Sequence, residues 1–196
     1  MNIEFFNVEK NYHKKTVLHN FNLKINKSGL YLFLGENGSG KSTTIKILTK
    51  EVLYKNKAMS YFKTDISRVS YLPEKYIIPK MMKIRDFLIL YLGIKNKKKK
   101  LDQYLKMYNI PNLRINSLSK GTIQKSILVA TTLEDAELYV FDEPLDGLDT
   151  YSKNIFISTI RHLIKDKKTV VISTHYEKMY ESLNPFLVRF GDNSDL

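Results

Sequence analysis

Gly35-Glu36-Asn37-Gly38-Ser39-Gly40-Lys41-Ser42-Thr43 decides the reading of this chain. The stretch fits G-x-x-x-x-G-K-[ST], the phosphate-binding P-loop or Walker A pattern. Its glycines let the backbone turn several N–H groups inward as a nest for an anion. Lys41 adds an ammonium that can reach terminal phosphates, and Ser42 offers a hydroxyl to Mg²⁺. The helix that starts here contributes the positive end of its dipole. A Gly/Ser-rich turn would share the composition but not the setting. Residues Gly29 to Leu34 read as a buried strand, and Thr44 to Leu48 read as helix. Strand, loop and helix in that order predict a nucleotide site.

Outward from the loop, the pattern is strand and helix in alternation. Asn2 to Val8 alternates loosely, Phe21 to Ile25 alternates cleanly, and Leu30 to Leu34 is continuously apolar. Short strands are expected at Ala58 to Phe62 and Val69 to Leu72. From Lys83 to about Glu134 the apolar residues recur at helical spacing: Phe87, Leu88, Tyr91 and Leu92, then Leu101, Tyr104, Leu105 and Tyr108, then Ile123, Ile127, Leu128 and Thr131. Strands return at Leu138 to Phe141 and Thr169 to Ile172, with a helix between them from about Ser152 to Lys165. The expected fold is α/β: a P-loop core with a parallel sheet, an N-terminal antiparallel β subdomain and an inserted α-helical subdomain. Residues 1–196 read as one domain. Its β subdomain and P-loop core span 1–73 and 135–196, and its helical subdomain spans 74–134.

The bulk properties set outer limits. With 196 residues, one large core is expected. The chain has no cysteine, which excludes disulfides and Cys-ligated metal sites. The longest nearly apolar run, Phe87 to Ile94, falls well short of the ~18 residues that span a bilayer, so the chain is expected to be soluble by itself. A net charge of +12 admits anionic partners. Much of it is dispersed lysine, and the block at Lys95 and Lys97 to Lys100 reads first as a solvated loop or helix start. No motif that reads RNA or DNA stands beside it, so nucleic acid is not an expected partner.

A second site lies downstream, where the apolar strand Leu138-Tyr139-Val140-Phe141 ends in Asp142-Glu143. Two acids at the end of an apolar strand suggest a cation or a catalytic task. Asp142 suits Mg²⁺, and Glu143 suits the removal of a proton from an attacking water.

Leu118-Ser119-Lys120-Gly121-Thr122 then carries a family resemblance. The chain resembles the nucleotide-binding domain of ATP-binding-cassette (ABC) transporters, whose signature is written LSGGQ and stands about twenty residues before the Walker B acids. Read without that family, the pentapeptide is a helix N-cap with Ser119 as the capping residue. The resemblance adds that Ser119 and Gly121 contact a nucleotide held by another subunit. Lys120 and Thr122 depart from the consensus and resemble the LSKG form of bacterial export-type domains. Tyr12 resembles the aromatic that stacks on adenine, Leu145 to Asp149 resembles the D-loop, and His175 resembles the switch histidine. Glu74, in Leu72-Pro73-Glu74, stands where the family usually has a glutamine that senses the metal, and this form resembles that of some bacterial drug- and peptide-export domains.

The resemblance implies ATP and Mg²⁺ as cofactors. Gly35 through Thr43, Tyr12, Ser119 and Gly121 would contact the nucleotide. Ser42, Glu74 and Asp142 would stand around the metal, and Lys41, Glu143 and His175 would act in hydrolysis. It also implies a second nucleotide-binding domain in a homo- or heterodimer and a separate permease subunit. That permease would hold the chain on the cytoplasmic face of the cell membrane, with Tyr76 to Met82 in the groove for one of its helices. The expected function is to power an exporter of drug, peptide or lipid-like cargo. The alternative is a soluble ABC ATPase acting on the ribosome or nucleic acid.

Overall fold

The computed structural model describes residues 2–13, 15–54, 59–91 and 98–191. Ala58, Leu92, Lys95 and Lys97 lie outside them, so the expectations resting on those residues go without a structural counterpart.

Three strands form an antiparallel sheet in the order β2-β1-β4: β1 Ile3–Tyr12, β2 Lys15–Ile25 and β4 Tyr61–Thr64. β1 shifts register repeatedly against β2, which is why its alternation is loose in the sequence. Five further strands form a parallel sheet: β3 Gly29–Leu34, β5 Val69–Leu72, β6 Leu138–Asp142, β7 Thr169–Ser173 and β8 Phe186–Arg189. Their order is β5-β6-β7-β3-β8. Helix α1, Lys41–Leu48, follows β3, and α5, Thr150–Lys165, connects β6 to β7.

Burial on both faces explains the continuous apolar runs in β3, β6 and β7. Leu30, Leu32 and Leu34 point to one side, into a core shared with Phe141, Phe156 and Ile172. Tyr31 and Phe33 point to the other side, into a core shared with Ile45, Val140, Val171 and the antiparallel sheet. The helical stretch holds α2 Ile84–Tyr91, α3 Lys98–Met107 and α4 Lys120–Leu133. Asn109, in the left-handed region at φ 52°, closes α3, and the Ile110 amide returns to the Leu105 carbonyl at 2.8 Å. The short strand expected to end at Phe62 runs instead from Tyr61 to Thr64, because its partner β1 pairs Ile3 with Thr64.

Parallel pairing places the carboxyl ends of β3, β6 and β7 at one edge of the sheet, with β7 between the other two. Phe33 and Asp142 both register against Ser173. The P-loop, the two acids and the segment bearing His175 therefore leave the sheet side by side, at the edge where α/β sheets bind ligands. Among the described residues, no helix is long and apolar enough to cross a membrane.

Candidate active site

Gly40 is the N-cap of α1 with φ 109°, a conformation that suits glycine. A Cβ there would lie 2.8 Å from Leu18 Cδ2 and 3.3 Å from the Val17 carbonyl oxygen, so β2 packs directly on the bare backbone. Lys41 is buried. Its ammonium donates to the carbonyls of Gly35 at 2.6 Å and Glu36 at 2.9 Å.

Asp142, at the end of β6, is also buried, and burial pushes its carboxyl above the ordinary range. Two hydroxyls act against that rise: Ser173 donates to Asp142 Oδ1, and Ser42 Oγ approaches the same oxygen at 3.4 Å. A serine hydroxyl and a buried carboxylate converging in this way are a fitting donor set for a hard divalent cation.

Glu143 leaves the strand direction abruptly. Its φ of 48° lies in the left-handed region, a cost on the order of 1–3 kcal/mol for a non-glycine residue. The turn carries its side chain away from Asp142 and toward His175, whose Nδ1 lies 3.1 Å from Glu143 Oε2. Burial raises the Glu143 carboxyl. His175 opposes the rise, and Asp146 and Asp142 add to it. A carboxyl raised in this way is better matched to proton abstraction near neutral pH.

Lys41, Ser42, Glu143 and His175 share one cavity of about 470 Å³, whose lining does not include Asp142. Asn37, Gly38, Gly40, Lys41, Ser42 and Thr43 line one wall, while Glu74, Glu143 and His175 line another. The structure thus brings together most of the predicted set. Gly35, Glu36 and Ser39 instead line a second cavity behind the loop, against Phe190 and Gly191. Tyr12 is absent from the lining of both cavities; its ring lies under the Lys10 ammonium, 5.1 Å from centroid to nitrogen. Its cross-strand partner Lys15 lines the main cavity. Lys15 and Asp146 are lining residues that the sequence reading did not single out for the site. For Lys15, hairpin register from Tyr12 was the available signal.

Ser119 and Gly121 do not line the cavity of their own chain. Ser119 caps α4 as expected, accepting from the Thr122 amide at 3.1 Å. Gly121 has a role that the motif alone does not reveal. A Cβ there would stand 2.6 Å from the Gly147 carbonyl oxygen, so bare backbone is required where α4 meets the loop after Glu143. Lys125 and Asp149 pair at 3.2 Å across the same contact.

A family-wide sequence profile described as "ABC transporter" matches residues 18–146, spanning the P-loop, the signature turn and the two acids. The chain belongs to the ABC transporter family. It is an ATP-binding subunit of that family and an ATP hydrolase. The zinc import ATP-binding protein ZnuC of Buchnera aphidicola is 26% identical over 178 residues, covering 89% of this chain and 74% of that protein. The Nod factor export ATP-binding protein I of Burkholderia orbicola is 27% identical, covering 92% and 65%. Among solved structures, the dimeric bacterial ABC transporter cassette MJ0796 superposes with a TM-score of 0.82 at 19% identity, covering 96% of this chain and 94% of its own.

Proposed function

We propose that this ABC subunit binds ATP with Mg²⁺ in the main cavity and hydrolyses it with Glu143 as the general base, within a dimer that drives a separate membrane permease. The observation that carries the proposal is the Glu143–His175 pair, 3.1 Å apart, in the same cavity as Lys41 and Ser42. Lys41 gives up its two loop carbonyls and turns to the phosphates, while the open amides of the loop and of α1 receive phosphate oxygens. Ser42 and Asp142 would hold the magnesium ion, and Glu74, which lines the same cavity as Ser42, would take part through its carboxylate. When bound, the ion neutralises charge on the phosphates. Glu143 takes a proton from the attacking water, and His175 orients it. Tyr12 receives the adenine ring from its place beside Lys15, its cross-strand partner, which lines the cavity.

Ser119 and Gly121 lie outside their own cavity, which supports a role on a nucleotide held by a second subunit. The dimer of the MJ0796 cassette supports the same reading. Residues 74–134 form the helical subdomain that links the cavity to the permease. Ile77 and Met81 are strongly exposed, as suits a surface for an apolar helix. Tyr76 donates to Gln124 of α4 at 2.8 Å, and the Asn116 amide donates to the Lys80 carbonyl at 2.9 Å. A push on this segment is therefore felt at the signature helix. The permease places the subunit at the cytoplasmic face of the membrane. Export is the favoured direction, resting on the resemblance of Leu118-Ser119-Lys120-Gly121 and Leu72-Pro73-Glu74 to export-type domains. The names of the relatives include both import and export.

The deciding experiment is sedimentation of Glu143→Gln with and without Mg²⁺·ATP. The proposal expects a monomer alone and a dimer with nucleotide, because the clamp forms and the γ-phosphate stays. A monomer under both conditions, even with the permease supplied, would overturn the two-subunit reading.

A further inference from the structure

The cavity holds a second donor set, distinct in chemistry from the oxygen pair of Ser42 and Asp142. Glu143, Asp146 and His175 each present one ligand atom, and these atoms all lie within 4.8 Å of one another. We propose that the three side chains form a site for a transition-metal dication of the Zn²⁺ type, and that its occupancy holds the ATPase off.

The geometry of the pair at its centre is close to what a metal needs. Zinc sits about 2.0–2.2 Å from imidazole nitrogen and carboxylate oxygen, which leaves neighbouring ligands of a tetrahedral site roughly 3.3 Å apart. His175 Nδ1 and Glu143 Oε2 are 3.1 Å apart, bridged by a single proton in this state. A dication that replaces the proton needs only small displacements of either group. The third ligand is tethered nearby, because the Asp146 amide donates to the Glu143 carbonyl at 3.3 Å and folds the loop back on itself. Asp146 and His175 are exposed, so an ion has a path in, while Glu143 is half-buried and anchors the site. His175 is steadied by the Tyr176 ring, with centroids 3.9 Å apart.

Charge and donor type favour the same ion. Glu74 and Glu143 line this side of the cavity, and Lys41 is turned to the carbonyls of Gly35 and Glu36. Imidazole with carboxylates suits Zn²⁺, Co²⁺ or Ni²⁺, whereas Mg²⁺ prefers oxygen alone. Millimolar Mg²⁺ therefore does not displace the softer ion from His175.

The inhibitory half of the proposal rests on the role of Glu143 proposed above; the binding half does not. A metal on Glu143 occupies the lone pair that would accept the water proton, and it takes the His175 nitrogen that otherwise orients that carboxylate.

The test uses the full chain, stripped with chelator, with Mg²⁺ kept in large excess over the added ion. Calorimetry with Zn²⁺, together with the visible absorption of Co²⁺, should show one equivalent bound. His175→Gln and Asp146→Asn should each weaken binding by about tenfold or more, the scale of a lost ligand or its close support. No binding by the wild type, or affinity unchanged in both variants, would overturn the site and move any bound ion to other histidines. Turnover is then compared with and without Zn²⁺ within each protein. A ratio that falls in the wild type and stays near one in Asp146→Asn supports control by the metal. Zn²⁺ bound with turnover untouched would sink the inhibitory half and leave the site standing. Failure of the chelated wild type to hydrolyse ATP would count against the proposed function instead.

Discussion

The P-loop and the signature turn are both helix starts, yet they are finished in opposite ways. At α1 the N-cap is Gly40, which offers no side chain to the amides that follow. At α4 the N-cap is Ser119, whose hydroxyl already accepts from the Thr122 amide. The first four amides of any helix lack partners within it. The α1 end keeps them for a ligand and lines a cavity, whereas the α4 end satisfies one of them itself and is exposed. One end is built to be completed by a small anion. The other is complete as a fold, and it stands outside the cavity of its own chain.

The largest expected effect falls on the first end. Glu143→Gln keeps shape and loses basicity, so turnover at saturating ATP should drop by roughly 10²–10⁴-fold while ATP binding persists. Near-normal turnover would mean that the cavity lined by the α1 end uses another base. A smaller effect should appear at the second end. Gly121→Ala forces a methyl group against the Gly147 carbonyl, where both partners are backbone. Overpacking of this kind costs about 1–3 kcal/mol, against a helix-propensity gain of at most about 1 kcal/mol from alanine, so a net loss is expected. Thermal unfolding of the isolated subunit reads this directly. An unchanged or raised midpoint would show that α4 and the Gly147 loop are not in tight contact.

Much of this contrast is legible in the sequence. The P-loop, the apolar run before it and the acid pair after β6 each combine composition with strict spacing, and such local signals survive without the fold. The parallel core follows from runs too long and too apolar for a one-sided sheet. What the sequence hides is contact between distant segments. Nothing local marks Gly121 as facing Gly147, or β2 as lying on Gly40. Lys15 becomes a lining residue only through its pairing with Tyr12, in a strand whose register shifts blur the alternation. Glu143 betrays its left-handed turn only in the coordinates, because glutamate does not signal φ > 0. The break between α3 and α4 is equally weak in the pattern, since apolar residues keep helical spacing on both sides of it.

The smallest expected effect concerns the joint between the two ends. Asp149 caps α5, accepting from the Ser152 amide at 2.7 Å, and this bond, with lesser help from Ser152 and Lys125, lowers its carboxyl to about 2. Asp149→Ala should cost about 1 kcal/mol, the usual weight of a lost cap. The ion pair with Lys125 adds little, because Asp149 is largely exposed. The sign with pH follows from the lowered value. The carboxylate stabilises the fold above its unfolded pKa near 3.9, and the contribution fades as pH falls through about 2. Unfolding midpoints of wild type and variant should therefore converge toward pH 2. A gap that persists there would assign the stability to packing rather than to the charged cap.

Lys41 carries a consequence for the shape of the loop. A buried ammonium with no partner would be costly enough to loosen the backbone that holds it. Here the Gly35 and Glu36 carbonyls accept its protons, so cation and loop fasten each other. The shape of the nest therefore rests on contacts within the chain, and the side chain suited to terminal phosphates is also the tie that gathers the backbone around them.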